Sequence, residues 1–156
     1  MTAGALRAAT GALALVAAGI SAYLVTVHFA DASIVCIAGG GCKTVQESAY
    51  SEIGPVPLSV LGLAVYVALT ATALFRGELA ATASFALGLS VGVFAVYLIV
   101  VQTVVLDAIC VWCMTTDAIA LVLVVVTALR LRAEIRVADA APGAGGADGG
   151  AAATMF

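Results

Sequence analysis

Four stretches of this chain, residues 6–29, 58–75, 79–106 and 108–129, are almost unbroken apolar sequence. Crossing the hydrocarbon of a bilayer takes roughly 20 apolar residues in a helix, and each stretch comes close to or exceeds that length. Backbone N–H and C=O groups inside lipid must be satisfied within the segment, so helices follow and open strands do not. Of the 156 residues, 64% are hydrophobic and 10% charged, more apolar surface than one small water-soluble core can bury. The expected fold class is therefore an all-α integral membrane protein, a four-helix transmembrane bundle with a long extracytoplasmic loop over residues 30–57. A water-soluble enzyme is excluded. Six Lys+Arg against nine Asp+Glu leave no basic stripe for phosphates, so no nucleic acid is expected as a partner.

Basic residues orient the bundle. Arg7 precedes the first run, Arg76 lies in the Arg76-Gly77-Glu78 break, and Arg130, Arg132 and Arg136 follow the fourth run. An even helix count puts them all on one side, expected to be cytoplasmic, with both termini there. The opposite side carries Lys43 beside Asp31, Glu47, Glu52 and Asp107. Localisation in the cell (inner or plasma) membrane follows, multi-pass, with residues 30–57 outside. Residues 1–22 have the outline of a signal peptide, yet the apolar run continues to Phe29, longer than an h-region. The domain expected is 1–136, and 137–156, rich in Ala and Gly, is expected to be a disordered cytoplasmic tail. In the third run Ser84, Gly88 and Gly92 recur at every fourth position, a face for close helix contact.

All four cysteines fall on the extracytoplasmic side, where disulfides persist. Cys36 and Cys42 sit in the loop, separated by Ile37-Ala38-Gly39-Gly40-Gly41, whose glycines permit many backbone states. Cys110 and Cys113 form Cys-Val-Trp-Cys at the start of the last helix, where N–H groups and the dipole favour a thiolate. One helical turn separates the two sulfurs, a spacing suited to thiol–disulfide exchange. Two structural disulfides, or a tetrahedral zinc site, are the other chemistries open to four cysteines. Two-electron oxidation of a dithiol needs an acceptor; the chain has no haem or flavin motif, and a membrane quinone fits both the depth and the potential.

With these marks the sequence resembles the vitamin K epoxide reductase family, in the bacterial branch that acts as a DsbB-like thiol oxidase. The resemblance spans about residues 6–132 and rests on Cys36-x5-Cys42, Ser48 six residues later, Gly54-Pro-Val-Pro-Leu-Ser-Val-Leu-Gly62, and Cys110-Val-Trp-Cys113-Met-Thr-Thr. DsbB itself has its Cys-x-x-Cys first, so the order of the pairs separates the two. The resemblance implies that Cys113 forms a disulfide with Cys110 and faces a quinone (menaquinone or ubiquinone) among the helices. It implies that Cys42 attacks Cys110, and that Cys36 with Cys42 exchanges with a thioredoxin-fold, DsbA-like protein. Some relatives carry that domain fused through a fifth helix; here the partner is expected to be a separate protein. Ser48 matches the family's loop serine beside the quinone, and a helix cap is its other reading.

Asp117 stands where vertebrate members have a tyrosine. On a continuous helix Asp107, Cys110, Cys113 and Asp117 share one face. A carboxyl group in the bilayer is a functional candidate, here as a proton donor to the reduced quinone, unless Thr116 or a similar neighbour caps it. Gln102 is expected to bond a quinone carbonyl or a neighbouring helix. His28 and Trp112 are expected at the membrane interface. The expected activity is thus a quinone-dependent thiol oxidase supporting disulfide formation, with lipid bilayer, quinone and a DsbA-like protein as partners and no metal. Quinone-epoxide reduction, a scaffold with structural disulfides, and a small transporter are the rivals; the last calls for more intramembrane charge and for internal repeats.

Overall fold

Thr2 begins the first helix by accepting the Ala5 N–H on its hydroxyl at 3.2 Å, leaving α1 (Ala3–Phe29) to run through the whole first apolar stretch. The structure is a computed structural model and describes residues 2–30, 35–36 and 40–140. The described part of the loop carries α2 (Cys42–Gln46) and a minimal antiparallel hairpin, β1 (Glu52–Ile53) with β2 (Val56–Pro57). Gly54 turns that hairpin at φ +63°, a conformation that suits glycine. Three longer helices follow: α3 (Leu58–Leu74), α4 (Glu78–Val100) and α5 (Val111–Asp139). A π-helical turn, Val101–Val105, continues α4.

α1, α3, α4 and α5 pack in that cyclic order, each mainly against two neighbours. Small residues make the contact faces, because lipid gives apolar side chains no reason to prefer protein and close backbone approach must supply the attraction. Ala14, Ala17 and Ala18 of α1 cluster with Tyr66 and Leu69 of α3 and Leu123 of α5. Ser84, Gly88 and Gly92 are buried as the four-residue repeat suggests, and a Cβ on Gly88 would sit 2.7 Å from Thr127 Oγ1. Outward faces stay apolar, with Val67, Val93 and Val125 each more than half exposed, as a lipid solvent requires.

Three helices among the described residues are long and apolar enough to cross a membrane: α1, α4 with its π-helical turn, and α5. α3, at 17 residues, is a shorter apolar helix. The expected second span, residues 58–75, is this shorter helix. The last helix also differs from the expected 108–129. It starts later because Asp107 takes φ +45° and Cys110 acts as the N-cap. It runs on to Asp139 because Ala, Leu, Arg and Glu propagate a helix beyond any apolar stretch. Of the tail expected at 137–156, residues 137–139 are thus helical, and 141–156 lie outside the described residues.

Arg130, read above as one of the side-marking basic residues, is fully buried. It donates to Ser84 Oγ (2.8 Å) and to the carbonyls of Thr72 (3.0 Å) and Phe75 (2.9 Å). Ser84 Oγ in turn donates to Thr72 Oγ1 at 2.6 Å. One guanidinium therefore satisfies the last carbonyls of α3 and ties α3, α4 and α5 together at the end remote from the cysteines.

Candidate functional site

The turn from α4 into α5 is organised by Gln102, which lies in the π-helical segment. Its backbone carbonyl accepts the Ala108 N–H (3.0 Å), and its side-chain Oε1 accepts the Cys110 N–H (3.0 Å). Its Nε2 donates to Asp117 Oδ2 at 3.3 Å. Both ends of the amide are engaged by protein, so Gln102 joins the head of α5 to a carboxyl group nearly two turns inside it. π-Helical turns interrupt a helix's register and recur at functional sites.

Cys110 is buried, and its Sγ accepts the Cys113 N–H at 3.4 Å as the N-cap of α5. Lying just before the helix, the Cys110 thiol is brought down to about 7, chiefly by a hydrogen bond from the Cys113 side chain. Burial opposes this shift, and the N–H groups of Cys113 and Trp112 add to it. Cys110 and Cys113 are free thiols, whereas Cys36 and Cys42 are joined by a disulfide. Among the described residues no group of three or more His, Cys, Asp or Glu side chains is placed to hold a metal ion.

Beneath the cysteines a cavity of about 410 Å³ opens between the helices. Cys113, Ser48, Gln102, Asp117 and Tyr66 supply its polar points, and Leu24, Val65, Val91, Phe94 and Leu98 much of its apolar wall. Such a volume, mostly apolar with a few convergent polar groups, is that of a small-molecule site. Ser48 donates its hydroxyl to the Val45 carbonyl (2.7 Å), so it closes the end of α2 while lining the cavity.

Two expectations about Asp117 change. Asp107 does not share its helical face, because the chain turns before Val111 and leaves Asp107 exposed. Thr116 does not cap the carboxyl either; its hydroxyl donates to the Trp112 and Cys113 carbonyls, and Gln102 is the partner of Asp117.

Four residues make contacts that the sequence did not single out. Tyr66 lines the cavity and donates to the Thr116 carbonyl at 3.3 Å; a tyrosine in the middle of an apolar helix was the available signal. Trp112 donates from Nε1 to the Val35 carbonyl (2.8 Å), and Tyr23 Oη accepts the Val35 N–H (3.2 Å). The Tyr23 and Trp112 rings lie 5.2 Å apart, so Trp112 is more than an interface anchor. His28 Nε2, at the end of α1, lies 3.7 Å from Glu52 Oε1 of β1.

Fold and site together define a multi-pass membrane protein whose two cysteine pairs gather at one mouth of a helical bundle. The model of the Vitamin K epoxide reductase family matches residues 8–128, and the chain belongs to that family. Its members are oxidoreductases that use quinone or vitamin K-type substrates and generally work with thioredoxin-like proteins. Among curated proteins, none matches this chain closely enough to count as a relative.

Proposed function

We propose that the protein is a membrane thiol oxidase that reoxidises a DsbA-like protein outside the cytoplasm and passes the electrons to a membrane quinone. One observation carries the reading: Cys113 lines the apolar cavity while its neighbour Cys110 lies at the turn on which the disulfide-bonded loop packs. The two pairs thereby face different reactants. In this reading α3 also crosses, completing four spans, and Arg7, Arg76, Arg130, Arg132 and Arg136 mark the cytoplasmic side with both termini.

The chemistry balances as two disulfide exchanges followed by a redox step. The partner's dithiol reduces Cys36–Cys42 and leaves as a disulfide. Cys42 thiolate then attacks Cys110 of a Cys110–Cys113 disulfide, Cys36 resolves the mixed bond, and the inner pair becomes a dithiol. A quinone in the cavity supplies the acceptor for that dithiol's two electrons and two protons. Cavity size, apolar walls and the polar points at Ser48, Tyr66, Gln102 and Asp117 suit a quinone head group, either menaquinone or ubiquinone. Asp117 holds a proton at the cavity wall, and Gln102 fixes its orientation while pinning the Cys110 backbone. Ser48 presents its hydroxyl at the loop side of the cavity. Carboxyl groups in the bilayer interior are costly and are kept where they act.

The test is quinone absorbance in purified, detergent-solubilised protein with a reduced thioredoxin-fold protein as donor. Catalytic quinone loss in the wild type and none in Cys113→Ser is the expected result. No turnover with any quinone by a folded protein with an intact loop disulfide would overturn it. Consumption of a quinone epoxide, with no quinone loss, would assign the epoxide reductase activity instead.

A further inference from the structure

Among the described residues, Val35 is fastened to the bundle through its main-chain N–H and carbonyl. Val35, immediately before Cys36, has its side chain 65% exposed, so burial of its own side chain does not hold it. Instead its N–H is taken by Tyr23 Oη of α1 and its carbonyl by Trp112 Nε1 of α5. The two rings are in contact at 5.2 Å, so each supports the other's orientation. Trp112 is itself one of the two residues between Cys110 and Cys113. A second contact closes the same seam: a Cβ on Gly41 would stand 2.7 Å from Ile109 N and 2.8 Å from Ile109 O. Gly41 and Ile109 immediately precede Cys42 and Cys110, and both of those cysteines are fully buried.

We infer that Tyr23 and Trp112 are positioning residues that hold Val35 and the adjoining Cys36, disulfide-bonded to Cys42, beside Cys110, so that the inner pair exchanges with Cys42 and not with solutes. The inference rests on the relay set out under Proposed function and adds to it the device that keeps the two pairs in register. A single hydrogen bond fastens each side of Val35, so losing either loosens the docking without removing a reacting atom. Trp112→Phe keeps the ring and removes the donor. Tyr23→Phe keeps the ring and removes the acceptor.

Two readouts judge it. The first is alkylation of Cys110 by a small maleimide, followed by peptide mass spectrometry, with the loop disulfide intact and the inner pair reduced. Loss of one hydrogen bond of ordinary strength predicts roughly fivefold faster labelling in Trp112→Phe. Tyr23→Phe, losing the longer bond, moves the same way by less. The second compares donors. Turnover driven by a reduced thioredoxin-fold protein falls by a similar factor, because Cys42 spends less time against Cys110. Turnover driven by a small dithiol that reaches Cys110–Cys113 directly is unchanged or rises. A merely structural role would slow both donors alike.

Unchanged labelling in both folded variants, or equal slowing with both donors, overturns the inference. Should Trp112→Phe not fold, Tyr23→Phe decides on the same two readouts. If the wild type reduces no quinone with either donor, the thiol-oxidase reading falls, while the labelling result still judges the docking.

Discussion

The two ends of the helical bundle are built in opposite ways. At the Arg130 end, side chains lock helix to helix: Gly88 against Thr127, Ser84 on Arg130, and Arg130 on the final carbonyls of α3. At the cysteine end the connections run through short elements and special backbone: α2, a hairpin of two-residue strands, the π-helical turn, and Asp107 at φ +45°. Among the described residues, the one buried side-chain nitrogen or oxygen without a hydrogen-bond partner, Arg130 Nε, lies at the first end. The second leaves a cavity. Close packing resists rearrangement, whereas loop segments held by isolated hydrogen bonds open at low cost. In the proposed relay, which presents one cysteine outward and another inward, rigidity at the Arg130 end is an advantage. The same helices can stay in place while the thiol end changes partners.

Substitutions at each end test that contrast. The largest effect is expected from Cys113→Ser, which removes a reacting sulfur: quinone reduction falls by at least about a thousandfold, with the thermal midpoint little changed. Arg130→Met should do the reverse. It strips donors from three acceptors, and the unfolding free energy drops by roughly 3 kcal/mol, read as a lower thermal midpoint in detergent, while folded protein keeps its turnover. If Arg130→Met slows turnover as strongly as it lowers the midpoint, the ends are not separable.

A matched pair sharpens the comparison. Gly41→Ala places a methyl on the Ile109 backbone and should cut partner-driven turnover about tenfold, or ~1.4 kcal/mol in the barrier, with little loss of stability. Gly88→Ala places the same methyl on Thr127 and should cost about 1–2 kcal/mol of stability with little change in turnover. A pH dependence of similar size belongs to the thiol end alone. With the Cys110 thiol near 7, its thiolate fraction rises as pH increases through that value. Reaction of Cys110 with a small disulfide should be roughly tenfold faster at pH 8 than at pH 6 and nearly flat above pH 8. An ordinary thiol near 8.5 would still be rising steeply there.

Much of the bundle was legible because lipid imposes a simple grammar. Apolar length placed α1, α3 and α4 with its π-helical turn within a few residues of their observed limits, and the Ser84-Gly88-Gly92 repeat marked the face that α5 meets. The start of α5 was misjudged because nothing in the apolar pattern signals a positive φ at a non-glycine residue such as Asp107. Its end lies beyond the apolar run because helix propensity outlasts hydrophobicity. The cysteines were visible as types and spacings. What tied them together was not: Trp112 meets Val35 across 77 residues, and Arg130 meets Ser84 across 46. Such pairings depend on how helices pack, which one sequence does not state. Gln102 shows the same limit from the other side: its type and place leave a quinone carbonyl and a neighbouring helix both open, and only the packing puts its amide on Asp117 and the Cys110 backbone.

The brevity of α3 has a consequence for the surrounding lipid. Its 17 residues rise only about 26 Å, less than the ~30 Å of a typical hydrocarbon slab. Its foot is held by Arg130 and cannot slide or tilt freely to make up the difference. With α3 crossing as proposed, the membrane must give instead, drawing head groups and water inward on that flank while the longer α5 sits at ordinary depth. Such hydrophobic mismatch costs fractions of a kcal/mol per Å and makes the protein favour thinner, more deformable bilayers. Lipid chain length thus becomes a variable that acts on this protein through one helix.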